Sequence, residues 1–251
     1  MVSKKERQKK LERERYQRRL DRNAQREQAV RKWTVSGLAA IVVLAVALGV
    51  FFLVKPSGGQ AAVSSVHCSY ASSPPASRKV GTPPATADTT AVYQATIHTN
   101  RGDIVINLRN SKAPCTVNSF VYLAAKKFFS NTNCHRLTTS GIFVLQCGDP
   151  TGTGSGGPGY KFKDENLTGA KYSAGTVAMA NSGPNTNGSQ FFLVYQNSLS
   201  LPASYTPFGT IVSGLNIIQN VAKAGSDNSN GAGDGHPKEK VEIASVTIKK
   251  T

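Results

Sequence analysis

A chain of 251 residues is longer than one average domain and short for two, which points to a single globular unit with appendages. The net charge of +16 divides into +8 for residues 1–32 and +8 for the remainder, so the basic balance does not name a nucleic-acid partner and none is expected. The four cysteines are widely spaced and the four histidines do not cluster with them, which argues against a zinc site.

Residues 1–32 carry thirteen Lys or Arg against five Asp or Glu. This segment reads either as a solvated charged helix with mixed i,i+4 pairs or as a surface for anionic lipid, at about 1 kcal/mol per basic residue near the headgroups. From Trp33 to Val54 there is no ionisable side chain. At about 1.5 Å per residue these twenty-two positions match a hydrocarbon core of roughly 30 Å, so 33–54 is expected to be a transmembrane anchor in contact with membrane lipid. The basic flank and the apolar run are both longer than those of a cleavable signal peptide, which favours an uncleaved anchor. Because Lys and Arg resist translocation, the N-terminus is expected in the cytoplasm and residues 55–251 outside it, in a single-pass protein of the cell membrane. Cys68, Cys115, Cys134 and Cys147 all follow the anchor, where disulfides persist, and three full pairings remain open.

Residues 55–91, with SGGQAAVSS, SSPPAS and GTPPATADTT, read as a Pro/Ser/Gly-rich linker. A bond from Cys68 back to the domain would shorten it. From Val92 the pattern alternates: VYQATIHT, the turn NRGD and IVINLRN predict a β-hairpin with Ile104, Ile106 and Leu108 on one face. Pro114 and Thr116 introduce TVNSFVYLAAKKFF, where Val117, Phe120, Val121 and Ala124 recur at helical spacing. Short apolar runs follow, GIFVLQCG, GTVAMAN, SQFFLVY, TPFGTIV and VEIASVTI, with a second helix expected near Leu215. Many short strands and few helices indicate an antiparallel barrel or sandwich over residues 92–251.

Gly152, Gly154 and Gly157 satisfy G-x-G-x-x-G, but Pro158 and Gly159 follow instead of a helix, so the glycines predict a tight loop and not a dinucleotide site. No G-x-S-x-G elbow supports covalent catalysis, and His98 and His236 sit in turn-like or loop surroundings. The informative block is MANSGPNTNGSQFFLVY, Met179 to Tyr195, where turn formers and amides run into paired aromatics entering a strand. It sets polar donors beside an apolar pocket.

This block, together with CHRLTTSGIFVLQCGDPTGTGSGGPGYKFKDEN from Cys134 to Asn166, resembles the cyclophilin family of peptidyl-prolyl cis/trans isomerases, in family order and spacing. The resemblance covers Val92 to Thr251 and implies a mainly β fold: a closed antiparallel eight-stranded β-barrel with two flanking α-helices. It assigns Arg136 as the catalytic arginine and Phe143, Val144 and Gln146 as a wall of the proline pocket. Gly154 matches a groove-lining loop glycine. Ala180, Asn181 and Ser182 match the segment that hydrogen-bonds substrate backbone, and Gln190 and Phe192 the inner surface. Leu201 matches the pocket leucine, whereas Ser200 stands where a tryptophan is usual and Tyr205 where a histidine is usual, which implies weakened cyclosporin binding. Two extra residues lie between Arg136 and Phe143. The implied partners are X-Pro-containing polypeptides of exported proteins, handled by a monomer that requires no metal or cofactor. A proline-peptide-binding or chaperone module with little turnover is the competing class.

Overall fold

A computed structural model describes residues 65–251. The basic segment, the expected anchor at 33–54 and the start of the linker lie outside the described residues, among which no helix is long and apolar enough to cross a membrane.

The strands are β1 (Ser65–His67), β2 (Ala71–Ser72), β3 (Thr86–Asp88), β4 (Tyr93–Thr99), β5 (Gly102–Leu108), β6 (Thr132–Asn133) and β7 (Arg136–Thr138). They continue with β8 (Val144–Cys147), β9 (Tyr160–Lys161), β10 (Thr176–Met179), β11 (Phe191–Val194), β12 (Pro207–Ser213), β13 (Asp234–Gly235) and β14 (Glu242–Lys250). Helix α1 spans Pro114–Ala125 and α2 spans Leu215–Ala224. One curled antiparallel sheet runs β13-β7-β8-β11-β10-β12-β5-β4-β14-β6, flanked by the two small ladders β1-β3 and β2-β9. The mainly β architecture with two helices is as expected, but the main sheet has ten strands where eight were expected. The additional members are very short pieces such as Thr132–Asn133 and Asp234–Gly235, and among the described residues no ladder joins the end strands β13 and β6 into a closed barrel.

The hairpin β4-β5 turns on Asn100 and Arg101, and its register sets Ala95 opposite Ile106 and Ile97 opposite Ile104. All four are buried, as period-2 alternation requires of a half-buried ribbon. His98, read as turn-like, instead lies in β4, its Nδ1 2.9 Å from Asp103 and its Nε2 3.0 Å from Thr247.

Helix α1 opens on a proline, whose fixed φ suits the first turn, but Ala113 supplies no side-chain cap. The cap comes from a distance: the Glu165 carboxylate accepts from Cys115 N at 3.0 Å, Thr116 N at 2.8 Å and the Thr116 hydroxyl at 2.7 Å. A carboxylate there satisfies orphan N–H groups and complements the helix dipole. Helix α2 starts after Gly214, at φ +86°, where a Cβ would lie 2.4 Å from the Asp103 carbonyl oxygen.

The central strands are buried on both faces, which explains their unbroken apolar runs. From β11, Phe191 and Leu193 enter the main core beneath α1, where Phe120 packs against Phe129, Phe191 and Phe208 at 5.1–5.5 Å between ring centroids. Each such ring contributes about 1.5–3 kcal/mol on burial. Phe192 and Val194 point the other way, into a second cluster with Val144, Tyr172 and Ala178.

Residues 65–91, read as part of the linker, carry β1–β3 and pack on the sheet's surroundings. A disulfide joins Cys68 to Cys115 at the start of α1, and Tyr70 meets the rings of Tyr160 and Phe162 at 5.4 and 5.6 Å. A second disulfide joins Cys134 to Cys147.

Candidate active site

Antiparallel partners share a face of the sheet, and three ladders set Arg136 (β7), Gln146 (β8), Phe192 (β11) and Ala178 (β10) in one row across it. The row ends in a recess of about 140 Å³ lined by Arg136, Ile142, Val144, Gln146, Ala180, Asn181, Phe192, Leu201 and Tyr205. Its floor is the second apolar cluster; its rim is polar. That combination suits one apolar side chain on an otherwise hydrogen-bonded polypeptide.

The polar rim is wired in series. Asp234, on the edge strand β13, accepts from Arg136 Nε at 2.8 Å and from Nη2 at 2.6 Å, a two-point grip on the guanidinium plane. Arg136 Nη1 points at Gln146 Oε1 at 3.5 Å, Gln146 Nε2 donates to Gln190 Oε1 at 2.8 Å, and Gln190 Nε2 donates to the carbonyls of Gly154 and Gly156 at 2.9 Å each. Hydrogen bonding to Arg136 holds the Asp234 carboxyl below the usual carboxylate range, and the same contact raises the Arg136 guanidinium further. The arginine stays charged and held in position.

The glycine loop beyond Gln190 wraps a buried carboxylate. Burial alone would raise the Asp149 carboxyl, but N–H groups of Gly156, Thr151 and Gly154 and the Thr151 hydroxyl outweigh it and hold it low. Gly156 is obligatory, because a Cβ there would fall 1.9 Å from Asp149 Oδ1. The loop's N–H groups are thus turned inward onto Asp149, and the loop props the carbonyls that fix Gln190. Behind it His135 is buried, both ring nitrogens lack hydrogen-bond partners among the described residues, and desolvation lowers its pKa.

The apolar side is equally constrained. Tyr172, fully buried, donates its hydroxyl to the Tyr205 carbonyl at 2.7 Å and accepts from the Tyr205 amide at 2.9 Å. Its ring and that of Tyr205 lie 6.1 and 5.5 Å from Phe192. Asn181 locks the rim by donating to the Ser204 carbonyl at 2.8 Å and accepting from Gly183 N at 3.2 Å.

A sequence profile described as "Cyclophilin type peptidyl-prolyl cis-trans isomerase/CLD" matches residues 94–248, more than half of the chain. The chain belongs to this family. Cyclophilin relatives include a "Probable peptidyl-prolyl cis-trans isomerase B" of Mycobacterium leprae, 49% identical over 189 residues, or 70% of this chain and 61% of that protein. A protein of the same description from Mycobacterium tuberculosis is 46% identical over 218 residues, covering 77% and 66% respectively. The chain therefore spans somewhat under two thirds of the length of these relatives. The crystal structure of a Cryptosporidium parvum cyclophilin type peptidyl-prolyl cis-trans isomerase is 34% identical, covering 64% of this chain and 99% of that one, with a TM-score of 0.57. A second structure of that protein, obtained in the presence of the dipeptide Ala-Pro, has a TM-score of 0.56.

Of the residues expected in the cyclophilin site, Arg136, Val144, Gln146, Ala180, Asn181, Phe192, Leu201 and Tyr205 line the recess. Gly154, Ser182 and Gln190 line an adjoining cleft instead, which shares Gln146, Ala180 and Asn181 with it. Phe143 lies elsewhere. It donates its backbone N–H to Ser198 Oγ at 2.8 Å and stacks edge-on against Tyr195 at 6.0 Å. Alternation is the reason: Val144 faces the recess, so its neighbour Phe143 turns away and Ile142 takes the place beside Val144. The two extra residues fall in the loop before it, closed by the bridge between Ser140 and Ile142. Asp234 and Tyr172 were not anticipated, since each is tied to its partner by a contact 98 or 33 residues away with no local signature.

Proposed function

We propose that the chain is a peptidyl-prolyl cis/trans isomerase acting on X-Pro segments of exported, newly folding polypeptides. The observation that carries this reading is a guanidinium held at two points by Asp234 on the rim of a small apolar recess floored by Phe192. Rotation about a peptide C–N bond faces a barrier of about 18–20 kcal/mol, and X-Pro bonds exchange over tens to hundreds of seconds, roughly. No covalent bond has to break, so the site must favour the twisted amide over both planar forms.

On twisting, the prolyl nitrogen loses resonance and gains a lone pair. Arg136 supplies the donor to it, while Ile142, Val144, Phe192 and Leu201 hold the pyrrolidine ring. Gln146, Gln190 and the Ala180–Ser182 edge, with Tyr205 closing the rim, restrain the flanking peptide so that one side turns against the other. Family membership and the Cryptosporidium parvum structure obtained in the presence of Ala-Pro support this reading. Export is supported by the two disulfides and by the sequence around residues 33–54, where the apolar run would anchor the chain in lipid and the basic flank before it would keep the N-terminus cytoplasmic. Ser200 is exposed and donates to the Gly141 carbonyl, a poor substitute for an aromatic wall, and weak cyclosporin binding is expected.

The test is Arg136→Ala in the full chain in detergent, followed by protease-coupled or NMR exchange assay of a prolyl peptide. Loss of a transition-state donor lowers kcat/KM about 10²- to 10³-fold with the fold retained. Undiminished activity would refute the assignment, and a parent chain that binds the peptide without turnover would identify a binding module instead.

A further inference from the structure

The segment that leads into the domain is held beside the cleft that adjoins the recess. Tyr70 donates to the Cys115 carbonyl at 2.8 Å and accepts from Asn118 Nδ2 at 2.9 Å, beside the Cys68–Cys115 disulfide. Further along, Arg78 Nη1 donates to the carbonyls of Lys127, Phe128 and Ser130 at 3.1, 3.0 and 2.8 Å. Between these anchors the strap is laced to the glycine loop. β2 pairs with β9, Ser73 N donates to the Gly159 carbonyl at 2.8 Å, Ser77 N to the Gly157 carbonyl at 2.8 Å, and Gly157 N to Ser77 Oγ at 2.9 Å. Contact is close enough that a Cβ on Gly159 would lie 2.7 Å from the Cβ of Ala76.

Ser73, Pro74 and Pro75 thereby line the adjoining cleft of about 540 Å³, together with the Ala180–Ser182 edge. These three residues are exposed and lie outside the 94–248 stretch that carries the family match. Proline rings are rigid and lack N–H groups, so this wall offers apolar faces and carbonyl acceptors in a fixed shape. The cleft is continuous with the recess through Gln146, Ala180 and Asn181.

We infer that Ser73–Pro75 is a specificity-determining wall of the substrate groove, which engages residues flanking the proline in an extended polypeptide. This rests on the isomerase reading only in taking the recess as the seat of the prolyl ring. A strap pinned by a disulfide at one end and three carbonyls at the other is pre-organised, so contact with it orders few additional atoms.

The test compares Ala-Pro with peptides extending it by two residues on either flank, measuring affinity by NMR titration and kcat/KM on the full chain in detergent. The parent binds one extended peptide better than the dipeptide. In Pro74→Gly/Pro75→Gly that advantage falls about 3- to 10-fold, the scale of one or two ordered contacts. Ser73→Trp, which fills the cleft from the same wall, abolishes it, and serves if the glycine variant unfolds. An extended peptide bound no better than the dipeptide by the parent, or an equal loss for both peptides in the variants, overturns the inference. Absence of turnover with binding intact would strike the isomerase reading, and the affinity ratios would still decide this one.

Discussion

Asp234→Asn isolates the one contact that aims the arginine. The carboxylate grips Nε and Nη2 at 2.8 and 2.6 Å, whereas the remaining contact, from Nη1 to Gln146 at 3.5 Å, is too long to hold the plane by itself. Asparagine accepts one N–H and presents its own amide hydrogens to the other, so the two-point grip is lost with little change of volume. A freed arginine recovers up to about 2 kcal/mol of rotamer entropy, and re-ordering it at the twisted amide costs about 1–2 kcal/mol. The expected effect is a roughly 5- to 30-fold fall in kcat/KM, expressed in kcat because the donor is needed only after twisting begins. The assay is the exchange measurement used for Arg136→Ala, run as a double-mutant cycle: in the Arg136→Ala background Asp234→Asn should have no further effect. The opposing argument is that the carboxylate blunts the arginine's charge, and it predicts a gain on substitution. Activity unchanged or raised in Asp234→Asn, or an equal loss in both backgrounds, refutes positioning by Asp234.

Tyr172→Phe removes a hydroxyl that serves both the amide and the carbonyl of Tyr205, and should destabilise the domain by about 1–3 kcal/mol in denaturant unfolding, with weaker peptide binding at the rim. Glu165→Ala removes the cap of α1 and should cost about 0.5–2 kcal/mol by the same measurement, leaving kcat unaffected because the cap lies off the recess. Stability should also decline with acid in two stages. His135, whose folded pKa is depressed by burial, binds its proton more readily unfolded, so its contribution is complete above about pH 6.5 and erodes as pH falls below it. Asp149 and Asp234, both depressed, contribute fully above about pH 4 and lose that contribution as pH falls through their folded values. Unfolding free energy flat from pH 7 to 5 would contradict the first stage.

What the sequence disclosed was local. The hairpin was legible because β4 and β5 alternate strictly, and α1 because Pro114 and the spacing of Val117, Phe120 and Ala124 act within one segment. The helix cap was not, since Glu165 reaches α1 from about 50 residues further on. Cysteine count alone left three pairings open; the fold joins Cys68 to Cys115 and Cys134 to Cys147. Residues 65–91 read as a linker because their average composition is poor in apolar side chains, yet order there depends on a few anchors, Cys68, Tyr70 and Arg78, that an average conceals. Block similarity picked out residues of which eight line one recess and grouped Phe143 with them, because matching letters carries no information on which face an inserted loop leaves the next residue.

The recess itself has a simple sequence origin. Ala178 and Ala180 are two apart, so the pleat directs both toward the second apolar cluster, and Ala178 lies directly opposite Phe192 in the ladder. Larger side chains at those positions would fill the space against Phe192 and Leu201 and bury more apolar area, at about 25 cal/mol per Å². The chain instead leaves a small hole beside its aromatic floor and places a held cation on the rim. Helix α1 seals the main core on the other face, so the stability lost at the recess is carried by Phe120 and its aromatic neighbours, and the two faces of one sheet separate the packed core from the recess.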